Sequence, residues 1–128
     1  MRAMYWIVAG VGTLCLCLLG WLAARQPRPR VMPYRPERVE DLPDNPRPFV
    51  VYVAGAGKNA WAASLVCPCG CDEVIELNLL QQVRPRWKVT ENTDGTVSLH
   101  PSVWRDSGCR SHFIVANGAI RWCQSDEL

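Results

Sequence analysis

Cys67-Pro68-Cys69-Gly70-Cys71 and, further along, Cys109-Arg110-Ser111-His112 decide how the rest of this chain is read. In an extended stretch alternate residues face the same way, so positions 67, 69 and 71 present three thiols to one side. Pro68 stiffens that stretch and Gly70 lets the backbone curl until the sulfurs converge. Cys109 and His112, three residues apart just ahead of a strand, supply a second half. A closed structural zinc site takes four Cys or His ligands in tetrahedral array. Cys67, Cys69, Cys71, Cys109 and His112 are therefore five candidates for four places. Free cysteines are common in cores, but three alternating thiols in five residues are a poor way to fill one.

The residues around this cluster alternate in the manner of strands. Phe49–Ala54 is β-branched and aromatic between Pro48 and Gly55, and Glu73–Leu79 sets Ile75, Leu77 and Leu79 on one face. Trp87 and Val89, then a turn at Glu91–Gly95, then Val97 and Leu99, read as a hairpin. His112–Ala116 and Ala119–Cys123 around Asn117-Gly118 read as a second. In that register His112 falls opposite Cys123, which makes Cys123 a sixth candidate ligand, while Phe113, Val115, Ile120 and Trp122 share the core face. Short helical turns are expected at Asn59–Val66 and Ser102–Asp106. Lys58 after Ala56-Gly57 does not make a phosphate loop, because Tyr52 and Asn59 stand where that pattern needs Gly and Ser or Thr.

Outward from the domain, Ala3–Ala24 is uncharged and as a helix spans about 33 Å. Tyr5, Trp6 and Trp21 mark its ends, so a retained single-pass anchor is favoured over a cleaved signal peptide ending at Leu22-Ala23-Ala24. Arg25, Arg28, Arg30, Arg35 and Arg38 outnumber Arg2, which places the C-terminal part on the cytoplasmic side of the inner membrane. Setting Cys15 and Cys17 aside leaves five of the seven cysteines, an odd number better suited to reduced thiols than to disulfides. Seven of the ten prolines lie in 25–48, read as a polyproline stalk. The organisation expected is a transmembrane helix at 1–24, a proline/arginine-rich linker at 25–48 and a small β metal-binding domain at 49–128. The fold class expected is a small mostly-β domain of antiparallel strands and hairpins, stabilised by zinc. Residues 49–128 carry seven Lys plus Arg against eight acids, which argues against nucleic acid as a partner.

The run CPCGC, then Thr96–Ser102 (TVSLHPS), Gly108–Phe113 (GCRSHF) and Arg121-Trp122-Cys123, resembles a small bacterial and phage domain-of-unknown-function family over about 66–123. That resemblance implies Cys67, Cys69, Cys71, Cys109 and His112 as metal ligands. Relatives often lack a cysteine at the place of Cys123, usually lack a membrane anchor, and many have Gly at the place of Asp72. Some are encoded near ubiquitin-like conjugation genes, which implies an adaptor role.

The function expected is thus a membrane-anchored zinc module, held by lipid through residues 3–24, with a structural metal and a surface for a protein partner. An iron-sulfur protein with a three-Cys, one-His [2Fe–2S] cluster is the first alternative. A zinc hydrolase using Glu73, Glu76 or Asp106 as base is the second, disfavoured because a thiolate-rich site is usually closed and a weak Lewis acid. A thiol enzyme pairing Cys109 with His112, and a role for His100, are read more economically as a ligand pair and a surface histidine.

Overall fold

Strand periodicity governs most of the chain, and the computed structural model, which describes residues 31–124, arranges it as nine strands in three sheets. The first sheet runs in the order β1 (Arg35–Val39), β2 (Val50–Ala54), β3 (Ala62–Val66), β4 (Val74–Asn78). β1 and β2 are parallel and the remaining pairs antiparallel. β5 (Lys88–Glu91) and β6 (Val97–His100) form a hairpin, and β7 (Val103–Trp104), β8 (His112–Ala116) and β9 (Ala119–Trp122) form the third sheet in that order. From Met32 onward these residues belong to one compact unit.

One core joins the sheets. Val51, Val53, Leu65, Leu77, Val97, Leu99, Phe113 and Val115 are all buried within it, each contributed by alternate positions of its strand except in β2 and β3, which are buried on both faces. Backbone bonds tie the sheets as well. Tyr34 N–H donates to Gly118 C=O at 2.8 Å, Gly118 N–H to Val97 C=O at 2.8 Å, and Val97 N–H to Tyr34 C=O at 3.2 Å.

Tyr34 and β1 lie inside the stretch read as a linker, so the folded domain begins well before residue 49. The prolines misled because an edge strand tolerates them. Arg35 N–H bonds Phe49 C=O and Val39 C=O accepts from Gly55, so alternate residues Arg35, Glu37 and Val39 face β2. Pro36 and Arg38 face outward, where the missing proline N–H costs no ladder bond. Tyr34 supplies the anchoring apolar contact, 5% exposed and edge-on to Phe49 at 5.5 Å. Charges of this stretch pair within the domain, Arg38 with Glu91 at 2.7 Å and Arg47 with Glu37.

Two further expectations are replaced. Ala62–Val66 is strand β3 rather than a helical turn, preceded by a 3-10 turn at Gly57–Asn59, and Val103–Trp104 is β7. Both are recruited by neighbours: β3 has β2 and β4 on its two sides, and β7 pairs with β8. The final hairpin has the expected register, from Ala116↔Ala119 to Phe113↔Trp122, with Cys123 N–H donating to His112 C=O. Asn117 and Gly118 both have positive φ, as a two-residue turn requires. A Cβ on Gly118 would lie 3.0 Å from Pro33 and Thr96 side-chain carbons. Trp122 departs from the core reading, lying 54% exposed at the sheet margin while still edge-on to Phe113.

Among the described residues no helix is long and apolar enough to cross a membrane. The anchor expected at residues 3–24 lies outside the described residues.

Candidate functional site

Two constellations lie side by side at the loop end of the third sheet. The first is the thiol cluster. Residues 67–71 do not continue β3 as an extended run; the chain turns at Pro68–Gly70, with Gly70 (φ 93°) and Asp72 (φ 62°) left-handed, and closes through Cys67 N–H to Glu73 C=O at 2.8 Å. Gly70 has open space around it, so its backbone angle is what calls for glycine. The second thiol loop, between β7 and β8, curls at Gly108 (φ 65°) and Arg110 (φ 53°). Convergence therefore comes from two turns rather than from strand alternation.

The Sγ atoms of Cys67, Cys69, Cys71 and Cys109 all lie within 4.8 Å of one another. Cys67 Sγ is 3.4 Å from Cys69 Sγ and 3.7 Å from Cys109 Sγ. Tetrahedral zinc with bonds near 2.3 Å separates its sulfurs by about 3.8 Å, whereas a disulfide joins them at about 2.05 Å. The spacing fits one ion and no disulfide. Two of the donors are also unequal as acids. Hydrogen bonds from the Ser111 hydroxyl and backbone hold the Cys109 thiol down to about 6. For Cys71 the backbone bond at Glu73 is outweighed by the bond with Cys69, by burial and by the neighbouring sulfurs, which push it up to about 12. Such a set does not carry four negative charges unaided, and a bound cation would supply compensation. Part of it comes from Arg105, whose guanidinium donates to Cys109 Sγ at 3.4 Å and Cys71 Sγ at 3.7 Å while bonded to Glu73, the bond that chiefly raises its own pKa.

His112, the fifth sequence candidate, is not in that cluster. Its Nε2 lies 3.0 Å from Ser102 Oγ. The reason is strand geometry. β8 begins at His112, Trp104 is its direct partner across β7, and Ser102, two residues before Trp104, shares that face. The opposite face carries Val103, Phe113 and Val115 into the core. The Trp104 indole stacks on the imidazole, with centroids 4.9 Å apart and planes 10° from parallel. Nδ1 of His112 is buried without a hydrogen-bond partner among the described residues. A hollow of about 460 Å³ lined by Trp104, Asp106 and Arg110 lies beside the stacked pair.

Ser102 closes the TVSLHPS run but had no functional role in the sequence reading. Its signal was the alternation Ser102, Trp104 directly before a loop returning to His112, which a two-residue strand is too short to advertise. Cys123 is half-buried beside His112 and outside the thiol cluster. His100 is exposed at the end of β6 and Glu76 exposed on β4. Asp106 lines the hollow just described. Two larger hollows, of about 570 Å³ beside Gly57–Ala60 and Trp87 and of about 730 Å³ beside Arg38–Glu40 and Gly55–Gly57, contain no nucleophile and base in contact, so size alone does not mark the site.

The family model for the bacterial ubiquitination-like system serine protease (BubE) matches residues 38–123, two thirds of the chain. It spans β2 to β9, both thiol loops and the Ser102–His112 pair. No curated protein and no solved structure matches the chain.

Proposed function

The chain belongs to the BubE family, and from that premise we propose that it is a serine hydrolase with Ser102 as nucleophile and His112 as base, built beside a structural four-cysteine zinc centre. The observation that carries this is the 3.0 Å contact between Ser102 Oγ and His112 Nε2. With the proton of the neutral imidazole on Nδ1, Nε2 accepts from the serine hydroxyl. Oγ then attacks a substrate carbonyl carbon, its proton passes to Nε2, and the leaving amine or alkoxide takes that proton away. Water releases the acyl group by the same steps reversed. Trp104 holds the plane of the ring during both transfers and excludes water from one of its faces. The family description supports a substrate in which a ubiquitin-like protein is joined through an amide or ester carbonyl.

Zinc at Cys67, Cys69, Cys71 and Cys109 would supply a cross-link between the two loops. Four thiolates close its coordination, so no reaction step passes through it. Mutual distances under 4.8 Å favour one ion over a two-iron cluster, which spreads its cysteines over two metals. His112, expected from its spacing to be a ligand, serves instead as the base. We also propose that residues 3–24 anchor the chain in the inner membrane with the domain in the cytoplasm, supported by the uncharged run and the arginines that follow it.

Treating the full chain with a fluorophosphonate tests the assignment. A P–O bond forms at Ser102 as the P–F bond breaks, fluoride leaves and His112 takes the hydroxyl proton. The label is expected on Ser102 alone, and Ser102→Ala is expected to abolish it. His112→Gln, which cannot take the proton, is expected to slow it by a factor on the order of 10⁴. Undiminished labelling of Ser102→Ala would overturn the reading. Elemental analysis of the same preparations identifies the metal.

A further inference from the structure

Ser111 is where the thiol cluster meets the Ser102–His112 pair. Its hydroxyl lies 3.1 Å from Cys109 Sγ and 3.8 Å from Cys67 Sγ. Its carbonyl accepts Arg105 N–H at 2.9 Å, the last rung between the two stems of the β7–β8 hairpin. The residue is 9% exposed and directly precedes His112.

We infer that Ser111 is a positioning residue for the Ser102–His112 reaction, its hydroxyl fastening the start of β8 to the sulfurs of the metal centre and so fixing the reach of the His112 imidazole to Ser102. The inference rests on the hydrolase reading above. The planar peptide joining Ser111 to His112 leaves only the φ and ψ angles beside it to absorb a displacement of Ser111, and at His112 these are held by the β8 ladder. Displacements of about 1 Å at a reacting pair cost up to about a hundredfold in rate. Arg105 fastens the other stem to the same sulfurs: its backbone N–H bonds Ser111 and its guanidinium bonds Cys109 and Cys71. Both stems of the hairpin carrying nucleophile and base are thus tied to one centre. This corresponds to the outer layer of a metal site, here acting outward onto a neighbouring reaction.

The test uses the full chain loaded with Zn(II), as wild type, Ser111→Ala, Ser111→Thr and Ser102→Ala. Zinc per chain, thermal midpoint and the rate of fluorophosphonate attachment are measured across pH. Ser111→Ala is expected to keep its zinc and its midpoint but to label about tenfold more slowly, and Ser111→Thr, which retains the hydroxyl, to recover the rate. A zinc-loaded Ser111→Ala that labels as fast as wild type overturns the inference. Should Ser111→Ala shed its zinc, Ser111→Thr is compared with Ser111→Val, which differs by the hydroxyl alone, and equal rates overturn it. Labelling that survives Ser102→Ala defeats the hydrolase reading itself; labelling that needs Ser102 yet ignores Ser111 defeats only this inference.

Discussion

Strand β8 is bounded by two unlike turns. On one side Asn117-Gly118 joins it to β9 in a two-residue turn set by its own dihedral angles, both residues at positive φ and the ladder closing directly behind them, with bonds to Tyr34, Val97 and Ser98 added from outside. On the other, Arg105–Ser111 joins it to β7 through an irregular loop whose backbone makes few bonds of its own and whose side chains contact the sulfurs of Cys67 and Cys71 as well as that of its own Cys109. The first turn is written in two adjacent residues. The second depends on Cys67, Cys69 and Cys71, which come from a different sheet connection. A local turn needs only its own amino acids; a distant one needs a tie, and the Ser102–His112 pair sits on the side that needs the tie.

The sharpest way to break this contrast is Cys109→Ser. Structural zinc sites contribute about 10 kcal/mol or more to folding, so this variant is expected to lose metal, cooperative unfolding and Ser102 labelling together, as seen by circular dichroism and mass spectrometry. A folded, metal-free protein that still labels would mean that the loop holds itself. Phe113→Ala, beneath both turns at 0% exposure, is expected to cost about 3–5 kcal/mol in denaturant unfolding while leaving metal stoichiometry unchanged. Gly118→Ala strains the short turn and crowds Pro33 and Thr96; the expected loss is about 1–3 kcal/mol, again with metal stoichiometry unchanged.

A smaller effect separates the thiols themselves. Cys109 is depressed from 9.0 to about 6, so in metal-free protein its thiolate favours the folded state fully above pH 9 and that contribution fades as pH falls through about 6. Cys71 is raised to about 12, so its thiol form favours the folded state below pH 9 and does so no longer above 12. Iodoacetamide present at pH 7 while the metal is being chelated is therefore expected to modify Cys109 before Cys71 as long as the loops keep their fold, and to modify both alike once the domain has unfolded, as read by peptide mapping. The smallest effect belongs to Arg38→Ala, which removes an exposed pair with Glu91 and is expected to cost under about 1 kcal/mol.

Much of the fold was legible because alternation and an Asn-Gly turn are local signals: β4, the β5–β6 hairpin and the β8–β9 register follow from them. β1 was not, since Pro36 argues against a strand and only the neighbouring β2 and the burial of Tyr34 argue for one. Four members of the thiol cluster were visible as a spacing pattern. His112 shared that pattern, three residues after Cys109, and this spacing hid its other partner. The left-handed turn at Arg110 and the start of β8 at His112 swing the imidazole away from the sulfurs and toward β7, a change of direction that no spacing rule encodes.

Pro36 has a further consequence. The rim of the first sheet offers solvent the outward groups of Pro36 and Arg38, one lacking an amide hydrogen and the other carrying a charged side chain held by Glu91. A border of that kind is a poor template for a second chain, so the β1 edge of the four-stranded sheet is guarded against pairing with another strand by the very residue that disguised it.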